Sequence, residues 1–183
     1  MYTRRYETVT LSRDCPAVHV PSGETGTLPA GLEVAITQDL GGSFTVHAGG
    51  NLYRIAGTDA DALGREPLPQ PQLPASATDA DVEALVWSQL ETCYDPEIPI
   101  NLVELGLIYD CRVTNLGDDK RRVDIQMTLT APGCGMADII VDDVRSKIEL
   151  IPTVVETNVE LVFDPPWTMD RMSEAARLAA GLM

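Results

Sequence analysis

Basic, aromatic and histidine residues are scarce in this chain: 13 Lys and Arg stand against 28 Asp and Glu, aromatics make up 5%, and histidines number 2. A net charge of −15 leaves too few clustered cations to grip a phosphate backbone, which excludes nucleic acid as the expected partner. No apolar run approaches the ~20 residues that cross a bilayer, and the start Met1-Tyr-Thr-Arg-Arg-Tyr-Glu7 lacks the apolar core of a signal peptide. The expectation is a cytoplasmic protein with no membrane partner. CxxC pairs are absent too. Cys15, Cys93, Cys111 and Cys134 lie far apart, which fits neither a disulfide framework nor a self-contained metal site. Any metal held here would need carboxylates, small thiols or a second subunit.

What is present is enough apolar residue, 44% of 183, for one well-packed domain or two small ones. Residues 1–64 read as short strands, Arg5–Leu11, Ala17–Val20, Leu32–Gln38, Ser43–His47 and Leu52–Ala56, separated by Pro/Gly turns. That pattern predicts a small all-β domain over 1–65, a barrel or sandwich. Its two histidines, His19 and His47, have no supporting ligand spacing and read as structural. Residues 66–77, Glu-Pro-Leu-Pro-Gln-Pro-Gln-Leu-Pro-Ala-Ser-Ala, hold four prolines without periodicity and read as a stiff extended linker. Residues 78–183 form the second domain and carry most of the negative charge.

In that domain Thr78-Asp-Ala-Asp81 predicts a helix start, and Val82, Leu85, Val86, Leu90 and Cys93 follow helical spacing. Leu102–Leu105 reads as one helical turn stopped by Gly106. Leu107, Tyr109, Cys111 and Val113 then alternate as a strand, with Cys111 toward the core. Asn115–Lys120 turns the chain, and Arg122–Leu129 returns antiparallel. Met136, Ile140, Val144 and Ile148 recur every four residues as a second helix, and Val155, Thr157, Val159, Leu161 and Phe163 alternate as a third strand. A strand–helix–strand connection of that length is parallel. The predicted class is therefore α+β: a β-rich N-terminal domain, then helix–strand–strand–helix–strand with a mixed three-stranded sheet and helices on one face. Thr168 is expected to cap a last helix with Met169, Met172, Ala176 and Ala179 on its apolar stripe, and Trp167 to pack against the body.

The chemistry concentrates at Thr128-Leu-Thr-Ala-Pro-Gly-Cys134-Gly-Met136, where a strand gives way to a helix across a Pro/Gly turn. A thiol near a helix N-terminus meets free N–H groups and the positive end of the dipole, which favour the thiolate that binds metal or attacks electrophiles. Asp95, before Pro96, is pushed toward extended or turn geometry, leaving its carboxylate to cap, bind or catalyse.

Three ordered segments carry a resemblance: Asp95-Pro-Glu-Ile-Pro-Ile-Asn-Leu-Val-Glu-Leu-Gly-Leu-Ile-Tyr109, Thr128-Leu-Thr-Ala-Pro-Gly-Cys134 and Phe163-Asp-Pro-Pro-Trp167. Over roughly residues 78–175 the chain resembles the PaaD-like family implicated in iron-sulfur cluster assembly. Ala35–Val46 and Asp59–Gly64 further resemble the SufT subgroup, which adds a domain ahead of the shared one. The resemblance implies a non-enzymatic auxiliary factor that holds a transient iron-sulfur cluster or iron and passes it to client apoproteins, with no tightly bound cofactor. Its partners would be cluster carriers or scaffolds and the clients. Carried over by motif, Cys134 and Asp95 are the implied metal ligands, and Thr128 and Thr130 complete the implied cluster-binding set. One thiolate falls short of the four that usually hold a stable cluster, so a homodimer or a partner's thiols must supply the rest. Two alternatives stand beside this reading. One is a metal-free adaptor bridging a carrier to its clients. The other is a cysteine enzyme, which would need a general base that neither the distant histidines nor an ordinary Asp95 provides.

Overall fold

Polar and apolar side chains alternate along the strands and recur at helical spacing between them. The computed structural model, described for residues 6–95, 98–133 and 135–182, turns that pattern into two compact units, Met1–Pro69 and Gln70–Met183.

The first unit is a single antiparallel sheet of six strands: β1 (Glu7–Thr10), β2 (Cys15–Val20), β3 (Thr25–Leu28), β4 (Glu33–Leu40), β5 (Ser43–Ala48) and β6 (Asn51–Ile55). The order is β1-β4-β5-β6-β2-β3, which leaves β1 and β3 at its edges. One sheet thus takes the place of the two facing sheets of a sandwich. The strand pattern missed β3, because Thr25-Gly-Thr-Leu28 is short and carries a glycine where a strand side chain would pack. It also missed the 3₁₀ segment Gly57–Leu63, whose Ala60, Ala62 and Leu63 join the core formed by Leu11, Val34, Phe44, Val46 and Ile55. Arg13 grips that segment through Asp61 and Asp59, its Nη2 lying 2.6 and 2.9 Å from their carboxylates.

In the second unit α1 (Asp79–Leu90) begins as the sequence predicts. Thr78 Oγ1 accepts from Asp81 N–H, and the Asp81 carboxylate accepts from Thr78 N–H at 2.7 Å, a reciprocal cap. The hairpin β7 (Ile108–Gly117) and β8 (Lys120–Met127) is antiparallel, closed by Asp118 and Asp119 at positive φ. After α2 (Ala137–Glu149), β9 (Val154–Leu161) pairs parallel to β8, giving the sheet order β7-β8-β9. Val123, Ile125 and Met127 of β8 are buried with Val82, Val86 and Leu90 of α1 and Ile140, Val144 and Ile148 of α2. The opposite face is polar: Asp124 accepts from Asn158 and Arg122, and Glu160 from Gln126. The expected alternation fails at its ends: Val155 near the start of β9 and Phe163, two residues past its end, are exposed.

Arg121 departs from the polar-out rule. It is buried on the helix-covered face, where Nε donates to Asp79 at 2.8 Å, Nη1 to Thr153 Oγ1 and Nη2 to the Ala77 carbonyl. One guanidinium so fixes the start of α1, the chain entering it and the start of β9. The last helix also differs from expectation. Its N-cap is Ser173, whose hydroxyl accepts from Ala176 N–H, and α3 spans Glu174–Ala179. Thr168 opens only a short 3₁₀ turn, and Met169 is exposed while Met172 and Ala176 are buried.

Candidate functional site

Three backbone hydrogen bonds bring the segments carrying Asp95 and Thr128 to one end of the sheet. Leu102 N–H donates to the Cys93 carbonyl (2.8 Å), Leu107 N–H to Leu102 (3.0 Å), and Thr128 N–H to Leu107 (2.8 Å). Tyr94 also bridges Asn101 across the loop. Between them, Leu102–Leu105 makes the single turn that the sequence suggests. Gly106, at φ +70°, ends it, with Gly106 N–H bonded to Val103 and Leu107 N–H reaching back to Leu102. This is the double closure of a helix C-terminus that needs a left-handed residue, hence glycine. Asp95 is buried just ahead of that turn, and its carbonyl accepts from Ile98 N–H at 3.3 Å. Pro96 and Glu97 lie outside the described residues.

Thr128, the residue after β8, is fully buried, and its hydroxyl Oγ1 has no hydrogen-bond partner among the described residues. An unpaired buried hydroxyl costs about 1–3 kcal/mol, so a valine of the same shape would be the better core residue if packing alone decided the position. Thr130, two residues on, is half-buried. Ala131, Pro132, Gly133 and Gly135 are then exposed, and Gly133 turns at φ +75°. Cys134 lies outside the described residues. Met136 is buried and serves as N-cap of α2, but it offers no side-chain acceptor to the first-turn N–H groups. Thr128 and Thr130 thus follow β8 at one end of the second unit's sheet, and the segment carrying Asp95 is tied to Thr128 through Cys93, Leu102 and Leu107.

The other cysteines are built into the fold. Cys15 and Cys93 are buried. Burial holds the Cys15 thiol above its ordinary value, with the Asp59 carboxylate adding to it. Burial first, then Glu83 and Asp110, push the half-buried Cys111 up to about 12. At neutral pH both stay protonated thiols, poor as ligands and as nucleophiles. Among the described residues no three His, Cys, Asp or Glu side chains gather as a metal site. A shallow groove of about 310 Å³ on the open face of the second sheet has Arg112, Arg122, Asp124 and Glu160 in its lining and contains none of the predicted residues.

The sequence missed what holds this end of the sheet together. Residues 163–173 run back across the Glu104–Tyr109 segment as a strap. Trp167 Nε1–H donates to the Leu105 carbonyl (2.7 Å), Tyr109 Oη–H to the Pro165 carbonyl (2.8 Å) and Ser173 N–H to the Glu104 carbonyl (2.9 Å). The Ser173 hydroxyl also donates to the Glu104 carboxylate, and the Arg171 guanidinium stacks 4.3 Å from the Tyr109 ring centre. A Cβ on Gly106 would sit 2.1 Å from the Arg171 carbonyl oxygen, so the glycine also lets the strap lie down. The only local signal for this packing was Trp167 itself, an amphipathic residue between two prolines and a turn.

The family described as "Iron-sulfur cluster assembly protein" matches residues 83–161, all within the second unit. A curated relative from Porphyromonas gingivalis, named an Fe-S protein maturation auxiliary factor, is 47% identical over 94 residues, which cover 51% of this chain and 86% of that one. The Bacillus subtilis protein named Fe-S protein maturation auxiliary factor YitW is 41% identical over 97 residues, 53% of this chain and 91% of its own. The Staphylococcus aureus protein named Fe-S protein maturation auxiliary factor SufT is 42% identical over 88 residues, 48% and 96% respectively. Each relative is thus matched over most of its length by about half of this chain. No helix among the described residues is long and apolar enough to cross a membrane.

Proposed function

The chain belongs to the iron-sulfur cluster assembly protein family, with relatives that are Fe-S maturation auxiliary factors, and on that premise we propose that it hands iron or an iron-sulfur cluster to apoproteins through Cys134. In this reading the cluster is cargo, not a resident cofactor, and the protein is not an enzyme. Cys134 supplies the thiolate, two residues ahead of Met136, the N-cap of α2, whose own side chain makes no cap hydrogen bond. The first-turn N–H groups and the helix dipole favour the deprotonated sulfur there. Asp95 is the second, harder ligand, while Thr128 and Thr130 offer hydroxyls to the cargo's sulfur atoms, contacts that tune cluster stability.

The observation that carries this reading is the Thr128 hydroxyl, buried and unpaired among the described residues just after the strand that leads into the cysteine loop. A polar group kept at a cost to the fold is best accounted for by a ligand that comes and goes. One thiolate and one carboxylate bind weakly, which suits release, so the remaining ligands come from a second copy of this chain or from thiols of a carrier, scaffold or client. Residues 66–77 act as the spacer to the N-terminal β domain, and the protein works in the cytoplasm.

Anaerobic reconstitution of wild type and Cys134→Ala, followed by absorption and Mössbauer spectroscopy and by maturation of an apoprotein, tests the assignment. Wild type is expected to take up a labile cluster or iron that the variant lacks, with maturation falling in step. A Cys134→Ala protein that loads and matures as wild type would refute Cys134 as ligand. One that matures apoprotein although neither form loads would point instead to a metal-free adaptor.

A further inference from the structure

Resting on that reading of the site, we propose that Trp167 is a positioning residue for it, acting through the main-chain carbonyl of Leu105. The single turn Leu102–Leu105 ends with carbonyls that have no partner further along a helix. Two of them are capped from outside by the strap: Glu104 by the Ser173 N–H at 2.9 Å and Leu105 by the Trp167 indole N–H at 2.7 Å. The same turn is bonded upstream to the Asp95 segment, through Leu102 N–H to Cys93 and the Tyr94–Asn101 bridge, and downstream to Thr128, through the Leu107 carbonyl. A short rigid piece of chain therefore has the strap on one side and two members of the site on the others. Moving the turn moves both.

The strap's composition supports a positioning role over a packing one. Residues 163–171 are exposed apart from half-buried Trp167, and the strap's main apolar anchor is Met172. Its polar contacts, by contrast, converge on Glu104, Leu105 and Tyr109. Indole nitrogen is a donor only, and its single hydrogen bond goes to the residue that closes the turn. Phenylalanine at 167 would keep an aromatic side chain but remove the donor to the Leu105 carbonyl.

The test uses the full chain under anaerobic conditions, with Fe(II) alone as probe, displaced by a chromogenic chelator, and with amide hydrogen exchange at Leu107 and Thr128. Trp167→Phe is expected to speed exchange at Thr128 and to weaken Fe(II) binding, each by about tenfold, the scale on which residues supporting metal ligands act. Leu178→Gly is the control. It weakens exposed α3 by helix propensity alone, touches none of the turn contacts, and is expected to leave Fe(II) binding and Thr128 exchange at wild-type values. Wild-type Fe(II) affinity and exchange in Trp167→Phe overturn the proposal, as does an equal loss in both variants, which would mean general loosening. Wild type that takes up no Fe(II) defeats the site reading and this one with it. Uptake that survives unchanged in Trp167→Phe defeats this one alone.

Discussion

Thr128→Val should make the protein more stable and less functional. The side chain is fully buried and its hydroxyl is unpaired among the described residues, so the native fold bears the desolvation of that oxygen without a compensating bond from them. Valine has the same shape and no polar atom. The substitution should therefore recover about 1–2 kcal/mol, the lower part of the range for an unsatisfied buried group. For a unit the size of residues 70–183 this corresponds to roughly 3–10 °C in the midpoint of thermal unfolding. Thr128→Ser gives the opposite pair of results: loss of a buried methyl costs about 1 kcal/mol, while the hydroxyl and the cargo contact survive. Thr157 supplies an internal control. It too is buried with an unpaired hydroxyl, but lies in mid-β9 opposite Val123, away from the cysteine loop. Thr157→Val should stabilise without touching iron or cluster uptake. Calorimetry or urea titration of the three variants, each followed by anaerobic loading, reads both axes. A Thr128→Val protein less stable than wild type would show that the hydroxyl has a partner and would refute the reasoning. Stabilisation with unchanged loading would detach Thr128 from the site.

Two further outcomes follow from other parts of the second unit. Gly106→Ala forces a Cβ into the left-handed region and against the Arg171 carbonyl, so it should cost ~2–3 kcal/mol and release the strap, seen as proteolysis after residue 163 or as loss of the Tyr109–Arg171 stacking signal by NMR. Arg121→Ala removes a buried stem and leaves the Ala77 carbonyl and Thr153 hydroxyl unmet, a loss of roughly 2 kcal/mol at neutral pH. Its pH dependence has a definite sign. The Arg121 guanidinium, then Asn115, hold the Asp79 carboxylate below its ordinary value, so this contribution is present above an unfolded pKa of ~3.9 and is lost as pH falls through the lower folded value. Denaturant titrations from pH 7 to 3 should show the gap between wild type and Arg121→Ala narrowing below about pH 4; a constant gap would remove the ion pair from the account.

Much of the second unit was legible because its signals are local. The reciprocal cap of Thr78 and Asp81, the four-residue spacing from Met136 to Ile148, the alternation Val123, Ile125, Met127 and the stop at Gly106 each follow from geometry within one turn or one strand. The first unit was less legible, since β3 and the 3₁₀ segment Gly57–Leu63 are short and carry glycine or small residues with little periodicity. Asp95, Thr128, Thr130 and Cys134 were singled out by motif, which says which residues belong together but not what their atoms touch.

By itself, then, the sequence determined the element types, the α+β class, the antiparallel hairpin followed by a parallel third strand, and the family. Only the tertiary structure decided that Thr128 is buried with a hydroxyl unpaired among the described residues, that Arg121 turns inward, and that the tail from Phe163 to Ser173 holds the turn beside Asp95. The reason is physical. Trp167 meets Leu105 across 62 residues and Ser173 meets Glu104 across 69, and contacts at such separations leave no period in the chain that makes them. A buried hydroxyl reads like any threonine until the walls around it are known.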